Sequence, residues 1–492
     1  MFGLLYSFTP SISVNRRILF FLPIILLFFL AGCNNSTTSS SPDATFSGHI
    51  VNPTSEFLVL SKDANVVDTS YLTEEDNFSF NIKNAEEGLY NFRHGYETQV
   101  IYLSPGDSLL MWGNTLLFDE SLHFSGDGAP ENNYLINLFL RNEKNSDLVL
   151  DYYKIEPKKF GAIVDSIKQH RQENLDNLIE EHNVSENFVE VAQKMIQYEN
   201  NNLKEQYAYL VNKYFPEFSD DFPKEFFDYR DDISFNEKSF QSNPTYLRFL
   251  DNYLINLSMK DCTGDPHVDP CYDQNNFANI SKRIELIDSL TSLPLIKNYF
   301  LNRLGTAGMV MGKNREELRG ILKTLQEKGI PDDDLDDLVT LGSIQLAFIP
   351  GINVSNIPLV SANGTHLESG QIFNGRTIFY LWSINSPTHH KNQHQKIDEL
   401  EEKYPEINFS GINIDIGETS AWQNALRKYH YDLKNEYQLD AIEIRGNNIG
   451  SEVFNSYLNK LLFIDATGTV VIGDAYLDSP DFESRILEFL NL

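Results

Sequence analysis

Cysteine is nearly missing from this chain: three in 492 residues, at Cys33, Cys262 and Cys271. So small a supply excludes a disulfide-dense scaffold and any cysteine-rich cluster site. Positive charge is scarce too. Lys and Arg number 39 against 70 Asp and Glu, a formal net charge of −31. A surface that acidic repels phosphate backbones, so no nucleic-acid partner is expected. A membrane-spanning helix needs ~20 apolar residues in a row, and the run Ile18–Leu30 stops short of that. Phosphate loops and internal repeats are also lacking. What the chain does have is apolar mass. The hydrophobic set is 41% of the sequence, with 24 Tyr and 34 Phe, which supplies cores and excludes wholesale disorder. The length suits two or three domains.

Asn15-Arg16-Arg17 precedes the apolar run, and Leu30-Ala31-Gly32-Cys33 closes it. A basic start, a short apolar core and small residues before a cysteine read as a signal peptide over 1–32. Leu30-Ala31-Gly32-Cys33 resembles the bacterial lipobox, which implies that Cys33 is acylated and becomes the new N-terminus. Acyl chains at ~0.8 kcal/mol per buried methylene would then anchor the protein on a membrane. Residues 33–45 form a polar tether rich in Asn, Ser and Thr. Outside an inner membrane the surroundings are oxidising, so Cys262 and Cys271 read as a disulfide worth about 2–3 kcal/mol. Asp261, Asp265, Asp269 and Asp273 surround the pair and disfavour a thiolate, which argues for a staple over a redox couple. A calcium site on the same four aspartates is the alternative, although the D-x-D-x-D-G pattern of an EF-hand is missing.

The fold class expected is multidomain α+β. Residues 46–128 carry short alternating runs such as Phe78-Ser79-Phe80-Asn81-Ile82, broken by Ser104-Pro105-Gly106-Asp107 and Ser125-Gly126-Asp127-Gly128, and predict a β-sandwich. Ser47-Gly48-His49-Ile50, Asn77-Phe78-Ser79-Phe80 and Tyr102-Leu103-Ser104-Pro105-Gly106-Asp107 resemble the β domain that precedes thioredoxin-like domains in Bacteroidetes lipoproteins. Residues 129–354 are helical by period, as in Phe188, Val191, Ala192, Met195, Ile196, Leu203, Tyr207, Leu210 and Val211. Pro331 followed by aspartates at 332–334, 336 and 337 marks a helix start. This segment names no chemistry.

Residues 355–492 read as strand, helix, strand, helix, hairpin, helix, the order of a thioredoxin fold. Leu381-Trp382-Ser383, Gly411-Ile412-Asn413-Ile414-Asp415, Trp422, Leu462-Phe463-Ile464-Asp465-Ala466-Thr467-Gly468 and Asp474-Ala475-Tyr476-Leu477-Asp478-Ser479-Pro480 resemble the periplasmic TlpA/AhpC-type thioredoxin-like domains of Bacteroidetes. That resemblance implies a W-x-x-x-C-x-x-C run whose thiolate is stabilised at a helix start. Counting from Trp382 puts the two cysteine positions on Ser386 and His389, within Ser386-Pro387-Thr388-His389. Neither side chain can form or resolve a disulfide. Counting back from Asp465, the cis-proline implied before the hairpin falls on Asn459, where a cis bond would cost ~2.5–4 kcal/mol and a trans bond is expected. A helix-bending proline falls on His394, so that helix should run straighter. The catalytic site therefore reads as degenerate at Ser386, His389 and Asn459.

His389, His390 and His394 lie close in sequence, with 390 and 394 on one helix face, a spacing that can hold Zn²⁺ or Cu²⁺. The expectation set against it is solvated histidines at a helix start, with no metal and no cofactor. No acidic cluster follows Cys33, which by the same resemblance places the protein on the periplasmic side, at the outer membrane. The function expected is a lipid-anchored envelope protein with a redox-inactive thioredoxin-like domain that binds a periplasmic protein or peptide. The alternative is a thiol-disulfide oxidoreductase that uses Cys262 and Cys271.

Overall fold

The computed structural model describes residues 42–492 apart from positions 96, 153, 442, 445, 446, 449 and 480. The signal peptide, Cys33, the tether up to residue 41 and Pro480 lie outside the described residues. Among the described residues no helix is long and apolar enough to cross a membrane.

Alternation builds the first region. Its strands are β1 (Ala44–Val51), β2 (Phe57–Lys62), β3 (Asn65–Tyr71), β4 (Asn77–Ile82), β5 (Gly88–His94), β6 (Glu97–Leu103), β7 (Ser108–Asn114) and β8 (His123–Gly126), with a short helix α1 (Phe118–Ser121) before β8. In β4 the residues Phe78, Phe80 and Ile82 are buried while Asn77, Ser79 and Asn81 are exposed, the two-residue period of a half-buried strand. Two four-stranded sheets result, ordered β4-β1-β7-β8 and β3-β2-β5-β6. They enclose one core that includes Phe46, Leu60, Phe80 and Phe92.

Eight helices follow: α2 (Ala129–Tyr152), α3 (Pro157–Glu181), α4 (Glu186–Tyr214), α5 (Pro244–Ser258), α6 (Phe277–Leu290), α7 (Pro294–Met311), α8 (Arg315–Glu327) and α9 (Asp332–Gln345). Local chemistry sets their starts. Ser185, Asn243 and Asn314 accept backbone N–H groups of the first turns of α4, α5 and α8. Asp332, Asp333 and Asp334 occupy the first turn of α9 behind Pro331. The apolar stripe of α4 is buried as its spacing predicts, except that Leu210 is only half-buried. The helix also buries Glu199, Asn200, Asn201, Asn202 and Glu205.

The last region contains β9 (Pro358–Ser361), β10 (His366–Glu368), β11 (Thr377–Trp382), α10 (Pro387–Lys403), β12 (Asn408–Asn413), α11 (Thr419–Tyr429), β13 (Glu436–Leu439), β14 (Glu443–Ile444), β15 (Asn447–Asn448), β16 (Lys460–Ile464), β17 (Val470–Tyr476) and α12 (Phe482–Asn491). The seven-stranded sheet runs β10-β9-β13-β12-β11-β16-β17. Strand β12 pairs parallel to β11, β16 antiparallel to β11, and β17 antiparallel to β16. Two parallel strands joined through a helix, then a hairpin, then a helix, make this a thioredoxin-like unit. Three further strands, β9, β10 and β13, extend it on the β12 side.

All six residues of β11 are buried, as expected of a central strand covered on both faces. Ile378, Tyr380 and Trp382 pack with Ile397 of α10, Trp422 of α11 and Ile486 of α12. Phe379 and Leu381 point the other way, into the cluster that contains Leu341, Ile344 and Phe348. The central helices thus supply the sheet's second layer. Tyr457 stacks on Phe348 at 4.9 Å and donates a hydrogen bond to the Leu341 carbonyl at 2.8 Å. Buried Lys460 donates to the Val310 carbonyl and to Gln345 Oε1. Gly473 is required at this seam, because a Cβ there would collide with the Phe348 backbone.

Candidate functional site at the start of helix α10

Ser386 is the residue that opens α10, with Pro387 in the first helical turn, where its missing N–H costs nothing. The Ser386 hydroxyl makes no capping hydrogen bond. The loop before it is held by Asp415, which is 2% exposed at the end of β12. Its carboxylate accepts from Ser383 Oγ at 2.7 Å, Ile384 N at 2.7 Å, Asn385 Nδ2 at 3.2 Å and Asn413 Nδ2 at 2.7 Å. Four donors on one buried carboxylate leave it satisfied and fix the direction in which α10 leaves the sheet.

One turn into α10, His389 Nε2 lies 2.9 Å from Asn459 Oδ1. Two positions reached by counting in opposite directions along the sequence therefore meet in space. No cis peptide bond occurs among the described residues, so the bond before Asn459 is trans. Helix α10 runs unbroken through His394. Beside this pair is a cavity of about 580 Å³ lined by His389, Gln393, Lys396, Asn459, Tyr476 and Asp478 among others. Lys396 and Asp478 form an ion pair across one wall. Gln393 is 4% exposed, and among the described residues its Oε1 has no hydrogen-bond partner and His389 Nδ1 has none either. Ser386 does not line this cavity.

The expectation of solvated histidines fails for two of the three. His390 and His394 are 1% and 5% exposed. They do not converge on a common point. His394 Nδ1 donates to the His390 carbonyl at 2.7 Å, its Nε2 meets Glu436 Oε1 at 3.1 Å, and its ring stacks on Tyr431 at 3.5 Å. His390 Nδ1 instead meets the Tyr431 hydroxyl at 2.6 Å. Burial, with the charges of His394, Lys391 and His389 adding to it, pushes His390 down to about 4, so it is neutral at neutral pH. The physical reason for the miss is that the first two turns of α10 are polar on the inward face as well, with the apolar Ile397 and Leu400 entering only further along. Among the described residues no group of three or more His, Cys, Asp or Glu side chains is placed to hold a metal ion. That statement covers the histidines and the aspartates near Cys262 alike.

Glu436 is the residue that sequence reasoning missed. It is 2% exposed on β13 and accepts from Tyr380 Oη at 2.6 Å and Trp382 Nε1 at 2.9 Å, besides meeting His394. Burial and the Glu436 charge hold the Tyr380 phenol well above its ordinary range. Space for the carboxylate comes from Gly411 on the neighbouring strand, since a Cβ there would run into it. A glycine in the middle of a buried strand was the available signal.

Sulfur lies elsewhere. Cys262 and Cys271 are joined in a disulfide between α5 and α6, with Cα atoms 5.8 Å apart. Asp269 Oδ1 accepts from the Cys271 N–H at 2.9 Å and Asp265 Oδ1 from the His267 N–H at 3.0 Å, so these carboxylates brace turns.

No protein-family model matches the chain, and no curated protein matches it. Solved structures do. The thioredoxin domain of a thiol-disulfide oxidoreductase from Bacteroides vulgatus is similar at 12% identity over 29% of this chain and 98% of its own, with a TM-score of 0.23. A thiol-disulfide oxidoreductase from Bacteroides fragilis gives 16% identity, 28% and 99% coverage and a TM-score of 0.21. A secreted disulfide oxidoreductase from Mycobacterium tuberculosis gives 14%, 28% and 96%, with 0.20. Similarity at this level carries no chemistry across. The thioredoxin-like assignment stands on strand order and connections.

Proposed function

We propose that this chain is a lipid-anchored envelope protein whose thioredoxin-like domain performs no thiol chemistry and holds a protein or peptide segment at the cleft beside α10. The anchor in this reading is Cys33, and the site faces the periplasm from the outer membrane. The units are 46–128, 129–354 and 355–492, with no cofactor. The single observation that carries it is the His389–Asn459 hydrogen bond, which ties together the two places where thiol exchange would need a sulfur and a substrate-facing proline. No cysteine occurs in 355–492, and a serine hydroxyl is hardly ionised at neutral pH. The free Oε1 of Gln393 and the Nδ1 of His389 are groups that the polar backbone of an extended segment can meet.

A second reading has one observation in its favour. Cys262 is half-buried against a cavity of about 650 Å³ lined also by Arg230, Lys260 and Tyr272. An insulin-reduction assay with dithiothreitol, run on the full chain and on its Cys262→Ser/Cys271→Ser variant, separates the two. The binding reading expects neither to exceed the rate with dithiothreitol alone. Acceleration by the parent chain that disappears in the double variant would establish the oxidoreductase reading instead.

A further inference from the structure

Helix α3 carries Arg171 in a wholly polar stretch, Gln169-His170-Arg171-Gln172-Glu173, yet Arg171 is 3% exposed. None of its three guanidinium nitrogens has a hydrogen-bond partner among the described residues, and it forms no ion pair there. A guanidinium offers five N–H donors, and leaving them all unmet in a protein interior is a heavy cost. The cost is avoided where an acceptor arrives from outside.

Arg171 lines a cavity of about 560 Å³ between α2 and α3, within the range of small-molecule sites. Two more groups there point to a ligand. The Tyr134 hydroxyl on α2 is buried without a partner among the described residues, and Arg141, two turns further along α2, reaches the same cavity from its exposed side. Leu138 and Leu178 give the cavity an apolar wall. The charges around it nearly balance. Arg171 and Arg141 face Glu181 on the rim and Asp176 close to Tyr134, while Glu199 behind Arg171 gives one oxygen to Arg248 at 2.8 Å and keeps Oε1 buried without a hydrogen-bond partner among the described residues. So balanced a site suits one negative charge better than two.

We infer that the α2–α3 cavity is a binding site for a small organic monocarboxylate, whose carboxylate docks on the Arg171 fork and the Tyr134 hydroxyl while its apolar body lies against Leu138 and Leu178. A bidentate guanidinium–carboxylate pair supplies both the missing acceptors and a fixed orientation. The site is separate from the α10 cleft and stands whether or not that cleft binds a polypeptide.

The test is isothermal titration of the full chain with hexanoate, benzoate and inorganic phosphate at constant ionic strength. Saturable binding of at least one carboxylate is expected, with phosphate weaker. Arg171→Gln should weaken it about ten- to a hundredfold, from the loss of charged hydrogen bonds. Tyr134→Phe, which removes one hydroxyl and no volume, should weaken it severalfold, and this variant keeps the test open if Arg171→Gln fails to fold. No saturable carboxylate binding, equal binding by both variants, or tighter binding of phosphate would each overturn the assignment.

Discussion

Glu436 and Arg171 are buried to nearly the same degree and stand in opposite conditions. Both oxygens of Glu436 are met, by a phenol, an indole and an imidazole from two neighbouring elements. Arg171 has five N–H groups and no hydrogen-bond acceptor among the described residues. A buried charge completed by its own protein is part of what fixes the fold, and its removal strands every partner. A buried charge left incomplete contributes nothing of that kind, and its value lies in what it can capture. The same contrast separates the cluster behind α10 from the cleft in front of it, where Gln393 and His389 keep unmet atoms.

The largest effect should come from breaking the completed side. Glu436→Ala leaves the Tyr380 hydroxyl, Trp382 Nε1 and His394 Nε2 without their acceptor, and should cost about 3–5 kcal/mol in a urea titration. Glu436→Gln, which keeps one accepting oxygen, should recover part of the loss. Second in size is the acid response of His390. Its folded value of about 4 lies below the ordinary 6.5, so between these pH values the unfolded chain binds the extra proton. Stability is then whole above pH ~6.5 and falls by ~2–3 kcal/mol as pH drops toward 4. Melting curves across that range should be flatter in His390→Gln. The smallest effect belongs to Arg171→Leu, which removes a guanidinium that makes no hydrogen bond among the described residues. It should change stability by about 1 kcal/mol or less while ending carboxylate binding. A loss as large as that of Glu436→Ala would erase the contrast between the two sites.

Strands β11 and β16 were readable as runs of buried, mainly apolar residues, and β17 from Val470-Val471-Ile472 behind the turn Ala466-Thr467-Gly468, whereas β12, with only Phe409 and Ile412 apolar, was legible through the resemblance of Gly411-Ile412-Asn413-Ile414-Asp415. Edge strand β10 was not, since His366-Leu367-Glu368 is too short and too polar to show a period. Trp382 and Asp465 served as fixed points for counting, which led to His389 and Asn459. Glu436 and Arg171 were out of reach for one shared reason. Composition marks a residue as polar without saying which way it faces, and both occur among other polar residues. His390 and His394 of α10 were out of reach on the same account: the first turns of the helix are hydrophilic on every side, yet their inward side meets Glu436 and Tyr431. Spacing shows where an apolar face lies. It is silent about a polar face turned inward.

The seam between Phe379, Leu381 and the end of α9 also limits how this protein can be taken apart or inherited. A sheet that covers both faces with its own helices can be moved between genes as a cassette. Here one face leans on Leu341, Ile344 and Phe348, and Lys460 reaches across to Val310 and Gln345. A cut at residue 354 would expose that face to water, and the separated halves would each hold half of a greasy surface prone to self-association. Helices and sheet are consequently bound to a common fate and should melt together as one cooperative unit.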